Sequence, residues 1–177
     1  MILSVIILAA GQGTRMNSEI PKVFHEVGNY PMIFHVLDLS QKLKAKSTTV
    51  VISKKLSRYK TLLLSKYKHI KFCYQNNQLG TAHAVSEASN NNEIKETDTT
   101  LVLYGDTPSI TFKTLNAALK DFEKKKLDLS VISMIEKDVN NSYGRLLIKK
   151  GKLNKIIEKS EQTKEEKKIQ LCNSGIM

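Results

Sequence analysis

The chain has 177 residues, 41% of them hydrophobic, which is enough for one domain with a proper core. Its formal net charge is +11, from 28 lysines and arginines against 17 aspartates and glutamates. Only Arg15, Arg58 and Arg145 are arginines, and the lysines are mixed with glutamate and asparagine. We therefore interpret the surplus as a solvated basic surface and expect no nucleic-acid partner.

Alternating strand and helix patterns run through the first 135 residues. The predicted elements are a strand at 3–8, a helix at 32–43, a strand at 48–52, a helix at 58–67, a strand at 70–74, a helix at 81–88, a strand at 100–104, a helix at 112–125 and a strand at 129–135. Repeated βαβ units with right-handed crossovers predict an α/β fold, a Rossmann-like, mostly parallel sheet with helices on both faces.

The pattern changes after residue 138. Residues 144–158 predict a β-hairpin that turns at Gly151. A charged segment at 160–168 predicts an exposed loop or short helix, and residues 170–177 begin another strand.

Membrane and redox signals are weak. No segment is long and apolar enough to cross a bilayer, so we expect no membrane association. Cys73 and Cys172 have no spacing pattern, which predicts reduced thiols in a cytoplasmic protein.

The segment 8–16 carries the strongest functional signal. It follows an apolar, β-branched run directly, so it predicts a buried strand leading into a glycine-rich turn. Gly11 and Gly13 let backbone N–H groups point into one concavity, which suits a polyphosphate. Arg15 and Lys22 add positive charge near that turn. The segment therefore predicts a phosphate-binding loop.

Three polar segments follow predicted strand ends: the glycine turn, the loop that begins at Gln75, and Asp106. The carboxyl ends of parallel strands are where ligands bind in such sheets, so we expect these segments to meet at one edge. Asp106 is the candidate Mg²⁺ ligand, with a turn aspartate as the alternative. An ordinary surface lysine is the alternative for Lys22, and a salt bridge at a helix end is the alternative for Arg15.

Gln75 and Gln78 flank a polar loop before Gly80-Thr81. An amide presents both a donor and an acceptor, which suits the edge of a pyrimidine, and a plain polar loop is the alternative. The four histidines have no ligand spacing, so we assign them no metal role. No arrangement for nucleophilic catalysis is present, but nucleotidyl transfer needs only alignment and charge neutralisation.

Six motifs occur in an informative order. They are Leu8–Met16 with Pro21-Lys22, Gln75–Ala84, Tyr104–Pro108, Tyr143–Arg145, Glu158-Lys159 and Asn173–Ile176. Together they resemble the pyrophosphorylase domain of the N-acetylglucosamine-1-phosphate uridylyltransferases, within the sugar nucleotidyltransferase family. That domain is usually the first half of a bifunctional bacterial enzyme, and the resemblance covers essentially the whole chain.

The resemblance implies transfer of UMP from UTP to N-acetylglucosamine 1-phosphate, with Mg²⁺ as cofactor, in the cytoplasm and for cell-wall biogenesis. It implies Arg15 and Lys22 as catalytic residues and Asp106 as the metal ligand. It implies the following substrate-binding residues: Leu8, Ala9, Ala10, Gly11, Gly13, Lys22, Gln75, Gly80, Thr81, Tyr104, Gly105, Asp106, Gly144, Glu158 and Asn173. Of these, Gly144, Glu158 and Asn173 would bind the sugar.

The sequence also departs from the family pattern. Gln12 stands where many members carry a basic residue. Ala82 stands where some members carry glycine, and Ser174 replaces a common threonine. The family's second magnesium ligand, an asparagine, and the acetyltransferase half lie beyond Met177. The expectation is therefore one nucleotidyltransferase domain, truncated at its C-terminus, with a homo-oligomer only in a longer form. The alternatives are another sugar or polyol nucleotidyltransferase, a nucleotide-binding module with little turnover, or a basic nucleic-acid-binding protein.

Overall fold

The computed structural model describes residues 1–11, 13, 16–90 and 92–177. Its described residues form two compact units, Met1–Lys126 and Leu127–Met177. None of the described helices has the length and apolarity needed to cross a membrane.

The first unit is built on a parallel sheet. Its strands are β1 (Leu3–Leu8), β2 (Ser47–Ile52), β3 (Ile70–Tyr74) and β4 (Thr99–Tyr104). They lie in the order β3-β2-β1-β4, and every neighbouring pair is parallel. All residues of β1 and β2 are buried, so both faces of the sheet centre are covered. This confirms the α/β prediction for this part of the chain.

Helices fill the connections between these strands. They are α1 (Met32–Lys42), α2 (Lys60–Lys66), α3 (Thr81–Ser89), α4 (Asn92–Lys95) and α5 (Phe112–Lys125), with 3₁₀ turns at Lys22–Phe24 and Lys54–Tyr59. The helix predicted at 58–67 is therefore wrong at its start, because residues up to Tyr59 belong to the 3₁₀ turn. Only α2 continues as an α-helix, and it turns the buried Leu63 inward.

Register brings the strand ends together. Leu8 at the end of β1 pairs with Val51 on one side and with Tyr104 on the other. Two further hydrogen bonds prolong the ladders, from Gln75 N to Ile52 O at 3.0 Å and from Gly105 N to Leu8 O at 2.9 Å. The glycine turn, the Gln75 loop and Asp106 therefore leave the sheet at one edge, as predicted.

A buried polar group ties α1 to the end of α2. Tyr67 is 1% exposed, and its hydroxyl donates to Asp38 Oδ1 at 2.6 Å, while the Tyr30 hydroxyl donates to Asp38 Oδ2 at 3.0 Å. Burial raises the pKa of Tyr67, and the neighbouring Asp38 raises it further, so the phenol stays protonated and remains a donor.

We expect Tyr67→Phe to lower the free energy of unfolding by about 2 kcal/mol, because the half-buried Asp38 carboxylate loses a donor. Tyr74→Phe is the matched control, since Tyr74 is 37% exposed and its hydroxyl accepts a bond from Ser57 at the surface. Urea denaturation of both variants measures the difference. Equal losses would show that the Tyr67–Asp38 bond contributes nothing specific.

The second unit contains an antiparallel sheet. Its strands are β5 (Ser133–Ile135), β6 (Arg145–Lys149), β7 (Lys152–Ile157) and β8 (Leu171–Asn173), in the order β5-β8-β6-β7. β6 and β7 form the predicted hairpin, which turns through Lys150 and Gly151, both at positive φ. The strands predicted from 129 and over 170–177 are shorter than expected. β5 and β8 pair over only three residues, and Gly175 at φ +86° turns the chain.

Candidate functional site

The glycine turn packs directly on Lys22. Gly13 has φ +62°, and a Cβ on it would lie 2.9 Å from Lys22 Cβ, so both the backbone conformation and the close approach require glycine. Gly11 is exposed in the same turn. The predicted catalytic residue Arg15 lies outside the described residues.

Lys22 and Asp106 form an ion pair at this edge. Lys22 Nζ lies 2.5 Å from Asp106 Oδ2, although the two residues are 84 positions apart. The side chains are 42% and 24% exposed, so a ligand can reach both. The structure thus brings together two of the residues that the sequence singled out.

The carboxylate of Asp106 fits a divalent cation of the Mg²⁺ type. Mg²⁺ is usually held by one or two carboxylates, with substrate phosphates and water completing its octahedron, and Asp106 offers one accessible carboxylate. Over the described residues, no three His, Cys, Asp or Glu side chains cluster as an all-protein metal site. A cation here would therefore depend on a bound phosphate for further ligands.

The backbone before Asp106 is closely packed. A Cβ on Gly105 would lie 3.2 Å from Val23 Cγ1 and 3.4 Å from Ala9 Cβ, so any larger residue would push against the segments that carry Lys22 and the glycine turn. Tyr104, at the end of β4, shares a 3.0 Å hydrogen bond between its hydroxyl and Thr81 Oγ1. The position of Asp106 is thus fixed through its two preceding residues. Gly105 packs on Val23 and Ala9, and Tyr104 is bonded to Thr81 at the start of α3.

The loop 75–80 is held by its own amide side chains. Gln75 is 6% exposed, and its Nε2 donates to Gly80 O at 3.0 Å. Gly80 has φ +100°, a conformation that favours glycine, and it caps the start of α3. Gln78 Nε2 donates to Ala10 O at 2.8 Å, which ties this loop to the residues after β1. Gln78 therefore positions the loop, and one hydrogen of its amide is already bonded within the protein.

A chain of polar groups lies behind Gln75. Its Nε2 is 3.2 Å from His83 Nδ1, and His83 Nε2 is 3.2 Å from Glu87 Oε1, one turn further along α3. Burial raises the pKa of the Cys73 thiol on β3, and the charge of Glu87 raises it further. Sequence reasoning missed His83 and Glu87. Their i, i+4 spacing was visible, but the contact of His83 with Gln75 depends on how α3 packs against β3.

A cavity of about 910 Å³ opens beside these loops. Gly13 and the predicted base-binding residue Gln75 line it. Its other lining residues are Asn17, Ser18, Glu19, Ser53, Lys54, Lys55, Asn76, Asn77, Gln78 and Leu79. Residues 53–55 follow the end of β2, so the rule that ligands gather at strand ends could have identified them.

The second unit brings together the three residues expected to bind sugar. Asn173 N donates to Gly144 O at 2.8 Å, and a Cβ on Gly144 would lie 3.3 Å from Glu158 Oε1. Asn173 Oδ1 accepts from Gly175 N at 2.8 Å. The Glu158 side chain is exposed.

Arg145, next to Gly144 in the motif, is fully buried. Its guanidinium donates to Asn141 Oδ1, at 2.8 Å, and to Cys172 Sγ, at 2.7 Å. The arginine of this motif is therefore a structural residue that holds the segment around Asn141 against β8.

The parallel sheet, the glycine turn and the Lys22–Asp106 pair together define a nucleotidyltransferase. Residues 5–168 match the family model of the MobA-like NTP transferase domain, and the chain belongs to that family. The chain is 39% identical over 177 residues to the bifunctional protein GlmU of Buchnera aphidicola subsp. Baizongia pistaciae and 37% identical over 178 residues to that of Chromohalobacter salexigens. These alignments cover 99% and 100% of the chain but 38% of each relative, so the chain spans less than half of their length.

Solved structures support the fold. A putative glucose-1-phosphate thymidylyltransferase from Bacillus anthracis aligns with a TM-score of 0.76 at 20% identity, over 98% of this chain and 70% of that one. HddC from Yersinia pseudotuberculosis aligns with a TM-score of 0.66 at 22% identity, over 98% and 74%. The chain therefore has the fold of the sugar nucleotidyltransferases and is an enzyme of the nucleotidyltransferase type.

Proposed function

We propose that this chain transfers UMP from UTP to N-acetylglucosamine 1-phosphate, giving UDP-N-acetylglucosamine and pyrophosphate. The observation that carries the proposal is the Lys22–Asp106 pair, which lies against the glycine turn at the sheet edge where the amide-rich loop 75–80 also begins. The motif resemblance and the likeness to bifunctional GlmU proteins support the choice of substrates.

In this reaction an oxygen of the sugar 1-phosphate attacks the α-phosphorus of UTP. The bond between that phosphorus and the oxygen that bridges to the β-phosphorus breaks, and pyrophosphate leaves. Lys22 would move its ammonium from Asp106 to the phosphates, where negative charge develops. Arg15, close after Gly13 in the sequence, would also offset this charge. The chain needs no covalent intermediate, since aligned substrates and offset charge supply most of the rate.

Asp106 would hold Mg²⁺. The ion would supply charge neutralisation on the phosphates and fix their geometry. Backbone N–H groups of the turn around Gly11 and Gly13 would bind the triphosphate. Leu8, Ala9, Ala10, Tyr104 and Gly105 would complete the nucleotide side of the site. Gly144, Glu158 and Asn173 would bind the N-acetylglucosamine moiety, with the Glu158 carboxylate accepting from sugar hydroxyls.

Gln75 is the residue that we assign to the uracil ring, with Gly80 and Thr81 beside it. Its Nε2 has partners in Gly80 O and His83 Nδ1, while no described residue donates to its Oε1. The free acceptor suits the N3–H of uracil. Cytosine has a lone pair at N3 and would meet the amide oxygen with repulsion.

We expect UTP with Mg²⁺ to stabilise the chain more than ATP, CTP or GTP does. A ligand that binds only the folded state adds about 2.7 kcal/mol at a hundred times its dissociation constant. Thermal unfolding with each nucleotide at one concentration measures the ranking. Equal shifts for all four nucleotides would contradict the uracil assignment.

Pyrophosphate release from UTP and N-acetylglucosamine 1-phosphate tests the reaction itself. CTP and dTTP replace UTP in one set of controls, and glucose 1-phosphate replaces the amino sugar in another. Release with UTP and the acetylated sugar above all other pairs supports the proposal. Tight UTP binding without release would instead identify a nucleotide-binding module, and faster release with another pair would identify a different nucleotidyltransferase.

A further inference from the structure

Gln75 presents an amide whose direction decides which base it accepts. The oxygen and nitrogen of an amide are almost the same size, so turning the group by 180° changes its chemistry and hardly changes its shape. With Oε1 toward the cavity, Gln75 accepts from the N3–H of uracil. With Nε2 toward the cavity, it donates to N3 of cytosine. Selection of the base therefore depends on what fixes this rotation.

Two acceptors hold the nitrogen side of the amide. Gly80 O lies 3.0 Å from Gln75 Nε2, and as a carbonyl it can only accept. His83 Nδ1 lies 3.2 Å from the same nitrogen, and an imidazole nitrogen can donate or accept. The second hydrogen of the amide is satisfied only if His83 Nδ1 carries a lone pair.

Glu87 decides which nitrogen of His83 carries the hydrogen. Glu87 Oε1 lies 3.2 Å from His83 Nε2, and a carboxylate only accepts, so the hydrogen of the neutral ring is on Nε2. Nδ1 is then the acceptor that Gln75 requires. The side chains of His83 and Glu87 are 26% and 41% exposed, and they lie one turn apart on α3.

We propose that His83 and Glu87 are positioning residues that fix the direction of the Gln75 amide and thereby make the site select uracil over cytosine. Neither residue touches the base. The order of action is Glu87 on the imidazole tautomer, His83 on the amide, and Gln75 on the nucleotide. This inference rests on the proposed function, because it takes Gln75 as the residue that reads the base.

The readout is the ratio of dissociation constants for CTP and UTP, measured by calorimetry with Mg²⁺. The two nucleotides carry the same triphosphate, so changes in charge or stability affect both equally and cancel in the ratio. We expect the full chain to prefer UTP by about tenfold or more. His83→Leu removes the second acceptor and should lower that preference about fivefold.

Glu87→Lys tests the tautomer without touching His83. A lysine donates to Nε2 and moves the ring hydrogen to Nδ1, which then opposes the amide nitrogen of Gln75. We expect Glu87→Lys to lose at least as much of the preference for UTP over CTP as His83→Leu does. Glu87→Gln keeps an acceptor and should stay within about twofold of the unmodified chain. Asp121→Lys, on the exposed face of α5, makes the same charge change elsewhere and should leave the ratio unchanged.

Imidazole ¹⁵N spectra give an independent signature. We expect the His83 ring to carry its hydrogen on Nε2 in the unmodified chain and on Nδ1 in Glu87→Lys, with the His83→Leu spectrum giving the assignment. A preference for UTP that survives unchanged in both His83→Leu and Glu87→Lys would overturn this inference and leave the proposed function standing. Equal affinities for UTP and CTP in the unmodified chain would contradict the uracil assignment itself, and the inference would fall with it.

Discussion

Asp106→Asn will reduce turnover by about 10²- to 10³-fold while the chain remains folded. The substitution keeps the shape of the side chain and removes the charge that would hold Mg²⁺, and the loss of a metal anchor costs several kcal/mol of transition-state stabilisation. Pyrophosphate release at saturating substrates and a range of Mg²⁺ concentrations measures the effect.

The control for this variant is Asp121→Asn, which removes the same charge from an exposed ion pair with Lys125 on α5. It should keep the activity of the unmodified chain. Thermal unfolding of both variants checks that the fold is intact, since a half-exposed ion pair such as Lys22–Asp106 contributes little to stability. Near-normal turnover of Asp106→Asn at limiting Mg²⁺ would show that Asp106 is only a turn residue.

Lys22→Ala will lower kcat by about 100-fold and change the dissociation constant of UTP much less. The ammonium of Lys22 would meet charge that develops near the α-phosphate, and an interaction made mainly in the transition state affects kcat more than ground-state binding. Steady-state kinetics together with calorimetry of UTP binding separates the two quantities. Lys120→Ala, on the exposed side of α5, serves as the charge control.

Lys22→Ala should also raise the affinity of the chain for a divalent cation, although it lowers kcat. Without Lys22, the Asp106 carboxylate loses the cation that lies 2.5 Å from it. We expect the variant to bind a divalent cation more tightly than the unmodified chain when no nucleotide is present. If Lys22→Ala instead loses UTP affinity and keeps its kcat, the lysine is a ground-state phosphate contact.

The sequence predicted the position of the candidate site best where polar or glycine-rich loops follow the strands of the parallel sheet. Predicted strands ended at Leu8, Tyr74 and Tyr104, and a glycine-rich or polar loop followed each of them, so the parallel fold alone predicted that three loops would share one edge. The structure confirms this through the register of β1 with β2 and β4 and of β2 with β3. The meeting of Lys22 and Asp106 across 84 positions follows from the same rule.

Element lengths were harder to predict because a strand ends where its partner ends. Residues from 129 onward have strand-like composition, but β8 offers only Leu171–Asn173 for pairing, so β5 is limited to three residues.

The structural role of Arg145 could not be predicted from the sequence either. Its burial depends on Asn141 and Cys172, which surround it only after the second unit has folded.

The contacts that join Gln75 to His83 and His83 to Glu87 could not be predicted for a different reason. The i, i+4 spacing of His83 and Glu87 was visible, but nothing in it indicates that the histidine orients a third side chain on another element. Only the packing of α3 against β3 brings His83 to Gln75. Cavity residues 53–55 were accessible in principle, since they follow β2 as the other loops follow their strands.

The position of β1 in the sheet also sets the order in which the protein can be assembled during synthesis. β1 needs two neighbours, and the second of them is β4, whose Thr99 pairs with Leu3. A nascent chain that has not yet reached residue 99 therefore carries β1, one of its two fully buried strands, with one edge unpaired. Such edges pair with other chains and attract chaperones. Slow translation ahead of residues 99–104 would prolong this state, whereas rapid completion of β4 would close it.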